Sequence, residues 1–400
     1  MLTSLSLIFL VGLAMGAICS KLKLPRIIGM LATGIILGPY VLDLLDPSIL
    51  SISAELRKMA LVIILLKAGL SLNLQDLKKV GRPAIMLSFV PATFEIIGYI
   101  LLAPVILGLT HTEAAVMGAV LSAVSPAVVI PRMVQLMDNK YGTNQAIPQM
   151  IMAGASCDDI FVIVLFTTFL SMAQGGGVNL TSFLNIPISI ILGILLGAIV
   201  GYGLYLFFET AYARKHYVRN SMKVIIVLGF SFLLIAIEGW LEGKIAISGL
   251  LAVVSMACVL KVKSIAFVSK RLSEKFGKLW LGAEVMLFVL VGAAVDIRYT
   301  LEAGFAAILM IFAALLFRTV GVLLCTFKTR LSVKERLFCV IAYLPKATVQ
   351  AAIGSVPLAA GLPCGKIILS VAVMAIIITA PLGALGMDAT YKKLLSYAES

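Results

Sequence analysis

Thirteen long apolar stretches fill most of this chain, and the short connections between them carry most of its charged residues. A helix that crosses the hydrocarbon core of a bilayer needs about 20 predominantly apolar residues. The mean hydropathy of +1.11 and the 61% share of hydrophobic residues lie outside the range of soluble domains. The sequence therefore predicts an all-α polytopic membrane protein, partnered by the lipid bilayer, with about 13 transmembrane helices. The predicted spans are residues 3–20, 25–42, 54–72, 82–108, 113–136, 146–173, 184–208, 221–238, 243–262, 279–296, 301–326, 333–360 and 364–386.

Basic residues are divided unevenly between the two sets of alternate connections. Most of the 32 Lys and Arg residues lie in connections that would face the cytoplasm, including those around Lys78, Arg219 and Lys275. Lys21 follows the first apolar stretch, whereas a secretory signal carries its basic residues before that stretch. The predicted protein therefore lies in a cell membrane, plasma or inner, with its N-terminus outside and its C-terminus in the cytoplasm. Because the basic residues are scattered over short loops, the net charge of +13 indicates topology and no nucleic-acid partner.

Two stretches of the sequence resemble each other: AGLSLNLQDLKKVGRPAIML in the first half and VGAAVDIRYTLEAGFAAILM in the second. Aligning Gly81 with Gly304 gives an offset of 223 residues, and the same offset places Glu95 opposite Arg318. Each repeat would hold six spans, and the one span between them inverts the second repeat in the membrane, as in secondary transporters. The predicted organisation of the single unit 1–400 is a first repeat at about 3–173, a linker helix at about 184–208 and a second repeat at about 221–386.

One predicted span in each half is interrupted by proline. The fifth span contains SAVSPAVVIP, with Ser125 and Pro126, and the twelfth contains LPKATVQAAIGSVP, with Pro345. Proline removes a helical hydrogen bond and frees backbone dipoles that can face an ion. An ordinary proline kink is the alternative for either span alone, but matching positions in the two halves favour two crossed discontinuous helices.

Five ionisable residues are predicted to lie well inside the membrane: Glu95, Asp158, Asp159, Arg318 and Lys346. Ionisable groups at this depth are costly and usually serve function. Two adjacent acids titrate as a coupled pair, and their oxygens suit small hard cations such as Na⁺ or Li⁺. We therefore predict that Asp158 and Asp159 carry either a cation or protons, with no cofactor and no enzymatic reaction. The alternative is a helix end at which solvated acids cap the backbone.

Three glycines at four-residue spacing follow one another in the predicted linker helix, in LGILLGAIVGYG. They are Gly193, Gly197 and Gly201. Small residues at this spacing let two membrane helices approach closely. The pattern does not distinguish a dimer contact from a contact within the chain.

The stretches SAVSPAVVIP, GASCDDI and LPKATVQAAIGSVPL resemble motifs of the cation:proton antiporter superfamily, and most closely those of its NHA-type sodium/proton exchangers. The resemblance implies a homodimer in which a core domain moves like an elevator against a dimerisation domain. The core domain would include residues 82–173 and 301–386. By the same resemblance Asp159 is the principal carrier, with Asp158 beside it and Lys346 as a partner of the pair.

The sequence departs from the electrogenic two-aspartate antiporters, which place a lysine where this chain has Arg318. Arginine does not release its proton in proteins, and Glu95 is available as its partner. We therefore expect a sodium (lithium)/proton antiporter whose exchange is electroneutral. A sodium-coupled solute symporter of similar crossed-helix fold is the alternative. An intramembrane aspartyl protease would need its two acids on different helices, whereas Asp158 and Asp159 are adjacent.

Overall fold

The computed structural model is helical throughout, apart from one isolated bridge between Tyr141 and Tyr397 within the residues that it describes. It describes residues 1–22, 24–71, 81–175, 180–213, 219–241, 247–296 and 304–397. This architecture confirms the predicted all-α class. The described α-helices, numbered in chain order, are α1 Leu2–Lys21, α2 Arg26–Leu37, α3 Pro47–Ser51, α4 Ser53–Ser71, α5 Arg82–Leu87, α6 Val90–Leu107, α7 His111–Leu121, α8 Pro126–Asp138, α9 Ile147–Ala173, α10 Leu180–Ala213, α11 Asn220–Leu241, α12 Gly249–Lys263, α13 Ala266–Ala293, α14 Gly304–Thr326, α15 Val333–Ala342, α16 Thr348–Ile353, α17 Val356–Ala359 and α18 Gly365–Leu394.

Eight helices in the described part of the chain are long and apolar enough to cross a membrane, which makes this a multi-pass membrane protein. The other predicted spans coincide with shorter, less apolar or interrupted helices. For example, α2 has 12 residues, and the predicted span 113–136 is divided between α7 and α8. The number of thirteen spans, the repeats and their inversion therefore stay predictions.

The helices form two compact units. The first comprises residues 1–54, 73–174 and 287–400, and the second comprises residues 55–72 and 175–286. All five buried ionisable residues that the sequence singles out belong to the first unit. The glycine ladder of α10 belongs to the second.

Helices α6 and α14 of the first unit pack closely because each presents a glycine to the other. The ring of Phe317 covers Gly98, and Gly321 lies against the backbone of Pro91. A side chain at either glycine would collide with the opposite helix. This contact brings Glu95 on α6 and Arg318 on α14 into the same layer of the unit.

Within the second unit, the glycine ladder packs against α12. The backbone atoms that face Gly193, Gly197 and Gly201 are those of Ser248, Ala252 and Met256, respectively. The contacts follow the same order along both helices, so α10 and α12 run in parallel. Of the two alternatives for the ladder, the contact within the chain is the one that the structure contains.

We expect Gly197→Ala to lower the melting temperature of the detergent-solubilised protein. A methyl group at this position would overlap the carbonyl oxygen of Ala252, and overpacking typically costs about 1–3 kcal/mol. Gly203→Ala, on the same helix, is the matched control because nothing lies within 4 Å of its added methyl group. Equal melting temperatures for the two variants would contradict the packing described here.

Candidate functional site

Two helix breaks lie side by side in the first unit. The first is the non-helical segment 122–125 between α7 and α8, and the second is 343–347 between α15 and α16. Pro126 is the first residue of α8, where its missing N–H costs nothing. The backbone N–H of Ser125 donates to the carbonyl of Pro345 at 2.8 Å, which joins the two breaks directly.

Side chains from the second half of the chain satisfy three consecutive carbonyl groups, that of Leu121 at the end of α7 and those of Ser122 and Ala123 in the first break. The Lys346 ammonium donates to the Leu121 carbonyl, and the Arg318 guanidinium donates to that of Ser122. The Gln350 amide donates to the Ala123 carbonyl at 2.8 Å. Buried carbonyl groups need such partners. The non-helical conformation of the break is therefore stabilised by donors that lie more than 190 residues later in the chain.

Glu95 lies between the two bases. Its Oε2 is 2.7 Å from Nη1 of Arg318, and its Oε1 is 2.6 Å from Nζ of Lys346. None of the three side chains is more than 1% exposed. The Arg318 Nε–H also donates to the Tyr343 carbonyl in the second break at 2.6 Å. The Glu95–Arg318 contact expected from the repeat offset is therefore present. Arg318 and Lys346 also connect Glu95 to the two breaks.

Asp158 accepts hydrogen bonds from both the backbone and a base. Its Oδ2 receives the Val124 N–H at 2.7 Å and lies 3.4 Å from Nη2 of Arg318. The side chain is fully buried, and its Oδ1 has no hydrogen-bond partner in the described residues. The break at 122–125 thus turns a backbone N–H directly onto this carboxylate.

Asp159, the next residue of α9, has different surroundings. It is 7% exposed, and its Oδ1 has no hydrogen-bond partner in the part of the chain that the structure describes. No Lys or Arg nitrogen among those residues lies within 4.0 Å of its carboxylate. Successive helical residues point about 100° apart, so Asp159 does not share the partners of Asp158.

Lys346 contacts Glu95, whereas the sequence suggested that it would contact the Asp pair. The backbone of Lys346 is fixed in the break, because it follows Pro345 and its N–H donates to the hydroxyl of Thr379 at 3.0 Å. From there its ammonium meets Glu95 and the Leu121 carbonyl. Its proximity to Asp158 is indirect, through Glu95 and Arg318.

Sequence reasoning missed Gln350 and the carbonyl of Tyr343. A search for ionisable residues at membrane depth passes over an uncharged amide, although Gln350 is a polar residue within an otherwise apolar stretch of LPKATVQAAIG. That polarity is the signal that could have found it. The Tyr343 carbonyl carries no sequence signal, because every residue has one.

Residues 5–392 match the family model described as sodium/hydrogen exchanger, transmembrane. The chain is 31% identical over 432 residues to sodium/hydrogen exchanger 9B2 of Xenopus tropicalis, in an alignment that covers 99% of this chain and 75% of the relative. It is 32% identical over 389 residues to sodium/hydrogen exchanger 9B2 of Homo sapiens, which covers 94% of this chain and 71% of that one.

The fold also matches a solved structure. The sodium proton antiporter MjNhaP1 from Methanocaldococcus jannaschii at pH 8 superposes with a TM-score of 0.84, at 22% sequence identity and 98% coverage of both chains. The predicted resemblance to the cation:proton antiporters is confirmed by the family model and the relatives together. On these matches the chain belongs to the sodium/hydrogen exchanger family, whose members are transporters and not enzymes.

Proposed function

We propose that this protein exchanges Na⁺ or Li⁺ for protons across a cell membrane, with Asp158 and Asp159 as the carrier of both. Family membership supports sodium/proton antiport and does not favour the sodium-coupled symporter. The observation that carries the proposed site is the isolation of Asp159: it is a buried acid with no base within 4.0 Å among the described residues. A buried carboxylate of this kind is stable only when a proton or a cation neutralises it.

The balance of buried charge supports exchange of one cation for one proton. Glu95, Asp158 and Asp159 are three acids, and Arg318 and Lys346 are the two bases that contact the first two of them. One acid is left without a matching base, so one positive charge completes the site. Either Na⁺ or a proton supplies that charge, and alternating between them moves no net charge across the membrane.

The same proposal includes the motion and the assembly that the family resemblance implies. The core domain, residues 82–173 and 301–386, would carry the bound ion by an elevator movement within a homodimer. The hydrogen bond between Ser125 and Pro345 supports a core in which the two breaks move together. The N-terminus would face outside and the C-terminus the cytoplasm, as the distribution of basic residues favours.

Proteoliposomes that contain the purified protein and a pH-sensitive dye test the exchange itself. Adding Na⁺ or Li⁺ outside should alkalinise an acidic lumen, because each cation that enters releases a proton. Protein-free liposomes and addition of K⁺ are the controls. A dye signal no larger than that of protein-free liposomes would contradict the proposed function.

Electroneutral exchange predicts that an imposed membrane voltage leaves transport unchanged. The reason is that Arg318, which does not lose its proton, is already matched by Glu95 at 2.7 Å. A potassium diffusion potential set with valinomycin should alter neither the initial rate nor the endpoint of Na⁺-driven proton flux. A rate or endpoint that follows the voltage would mean that a second proton crosses, supplied by Lys346 or another group.

A further inference from the structure

A single peptide group in the first break is held at both of its ends. The Gln350 amide donates to the Ala123 carbonyl at 2.8 Å, and the Val124 N–H donates to Oδ2 of Asp158 at 2.7 Å. That carbonyl and that N–H belong to the same planar unit. Whatever orients the carbonyl therefore also orients the donor that meets Asp158.

Gln350 is suited to this task by its burial and its reach. Its side chain is fully buried, as are Ala123 and Asp158. In the described part of the chain, no other group donates a hydrogen bond to the Ala123 carbonyl. Gln350 lies on α16, which follows the second break in the chain. Its amide therefore links the second break to Asp158, the acid that faces the first break.

The neighbouring carbonyls do not share this property. The bases Arg318 and Lys346 hold the carbonyls of Ser122 and Leu121, and Gln350 is 3.4 Å from the latter. Neither of those peptide groups donates to an acid of the site among the described residues. Hydrogen bonds in a chain also polarise one another, so a donor on the carbonyl strengthens the N–H at the other end. Gln350 differs from the two bases because it is a neutral side chain that acts on a proposed carrier acid, Asp158, through the Ala123–Val124 peptide group.

We propose that Gln350 is a positioning residue for cation exchange: it fixes the Ala123–Val124 peptide so that the Val124 N–H keeps Asp158 in the geometry that binds the cation. The inference rests on the proposed function. Without the amide, the peptide group can rotate away and leave Asp158 without its backbone donor. The consequence falls on binding of the cation, because Gln350 adds no charge that must cross the membrane.

The test measures Na⁺-driven proton flux in proteoliposomes for Gln350→Met and Gln350→Leu. Methionine keeps the length and volume of the side chain but has no donor, and we expect the Na⁺ concentration for half-maximal flux to rise about tenfold while the maximal rate stays within about twofold. Leucine also removes the donor and is smaller, so its effect should be at least as large. Gln149→Met, a glutamine on α9 with its Oε1 unpartnered in the described residues, is the matched control.

The outcomes separate the inference from the function on which it rests. Absence of Na⁺-driven flux in the unsubstituted protein overturns the proposed function itself. An active parent with an unchanged half-maximal concentration in Gln350→Met, or with only its maximal rate lowered, overturns the role of Gln350. Melting temperatures of the variants are measured alongside, and if Gln350→Met does not fold, Gln350→Leu decides by the same criterion.

Discussion

Replacing Asp159 with asparagine should abolish cation-dependent proton flux while the protein stays folded. Asparagine has nearly the same size and shape, but it neither binds nor releases a proton near neutral pH. Asp159 makes no ion pair within 4.0 Å among the described residues, so the substitution strands no base. Flux in proteoliposomes should fall to that of protein-free vesicles, and the melting temperature should stay the same or rise, because an uncompensated buried charge is removed.

Asp138→Asn is the matched control for this experiment. Asp138 is the last residue of α8 and is exposed, so the same chemical change there should leave the flux intact. Retained flux in Asp159→Asn would show that another group carries the ion. A loss of folding in that variant would show instead that Asp159 has a partner on which the structure depends.

The parts of this site that could be predicted from sequence are those that stand out chemically. Proline and charge are conspicuous in apolar stretches, so Pro126 and Pro345 mark the breaks and the Asp pair marks the proposed carrier. The pairing of Glu95 with Arg318 was predicted from one offset, on the hypothesis that two repeated helices place equivalent residues at similar depth. These arguments depend on residue type and spacing alone.

The remaining parts depend on distances between helices, which sequence does not carry. Whether Lys346 meets Glu95 or the Asp pair depends on how the second break packs against α6 and α9. Hydrogen bonds to the Leu121, Ser122 and Ala123 carbonyls are invisible beforehand, since every residue offers the same acceptor. The glycine ladder likewise predicted close packing but not its partner, because many apolar helices could receive it.

Arg318→Met should be among the most destabilising single substitutions in this protein. Its loss leaves Asp158 without a base within 4.0 Å among the described residues and leaves Glu95 with Lys346 alone, and an uncompensated buried charge costs about 3–5 kcal/mol. Glu95→Gln should cost less, because Arg318 keeps its bonds to the Ser122 and Tyr343 carbonyls and Lys346 keeps that to Leu121. The double variant should be more stable than the sum of the two single effects predicts.

A double-mutant cycle of melting temperatures measures the coupling, and the chain supplies a control pair of the same chemistry. Arg132 and Asp388 form a bidentate pair at 3.0 and 3.1 Å, but their side chains are 23% and 49% exposed. Water screens such a pair, so its coupling should be at most about 1 kcal/mol. Additive effects at Glu95 and Arg318 would show that the two charges are neutralised separately. The argument that Glu95 matches Arg318 would then fail, and the expectation of electroneutral exchange would rest on the balance of buried charge alone.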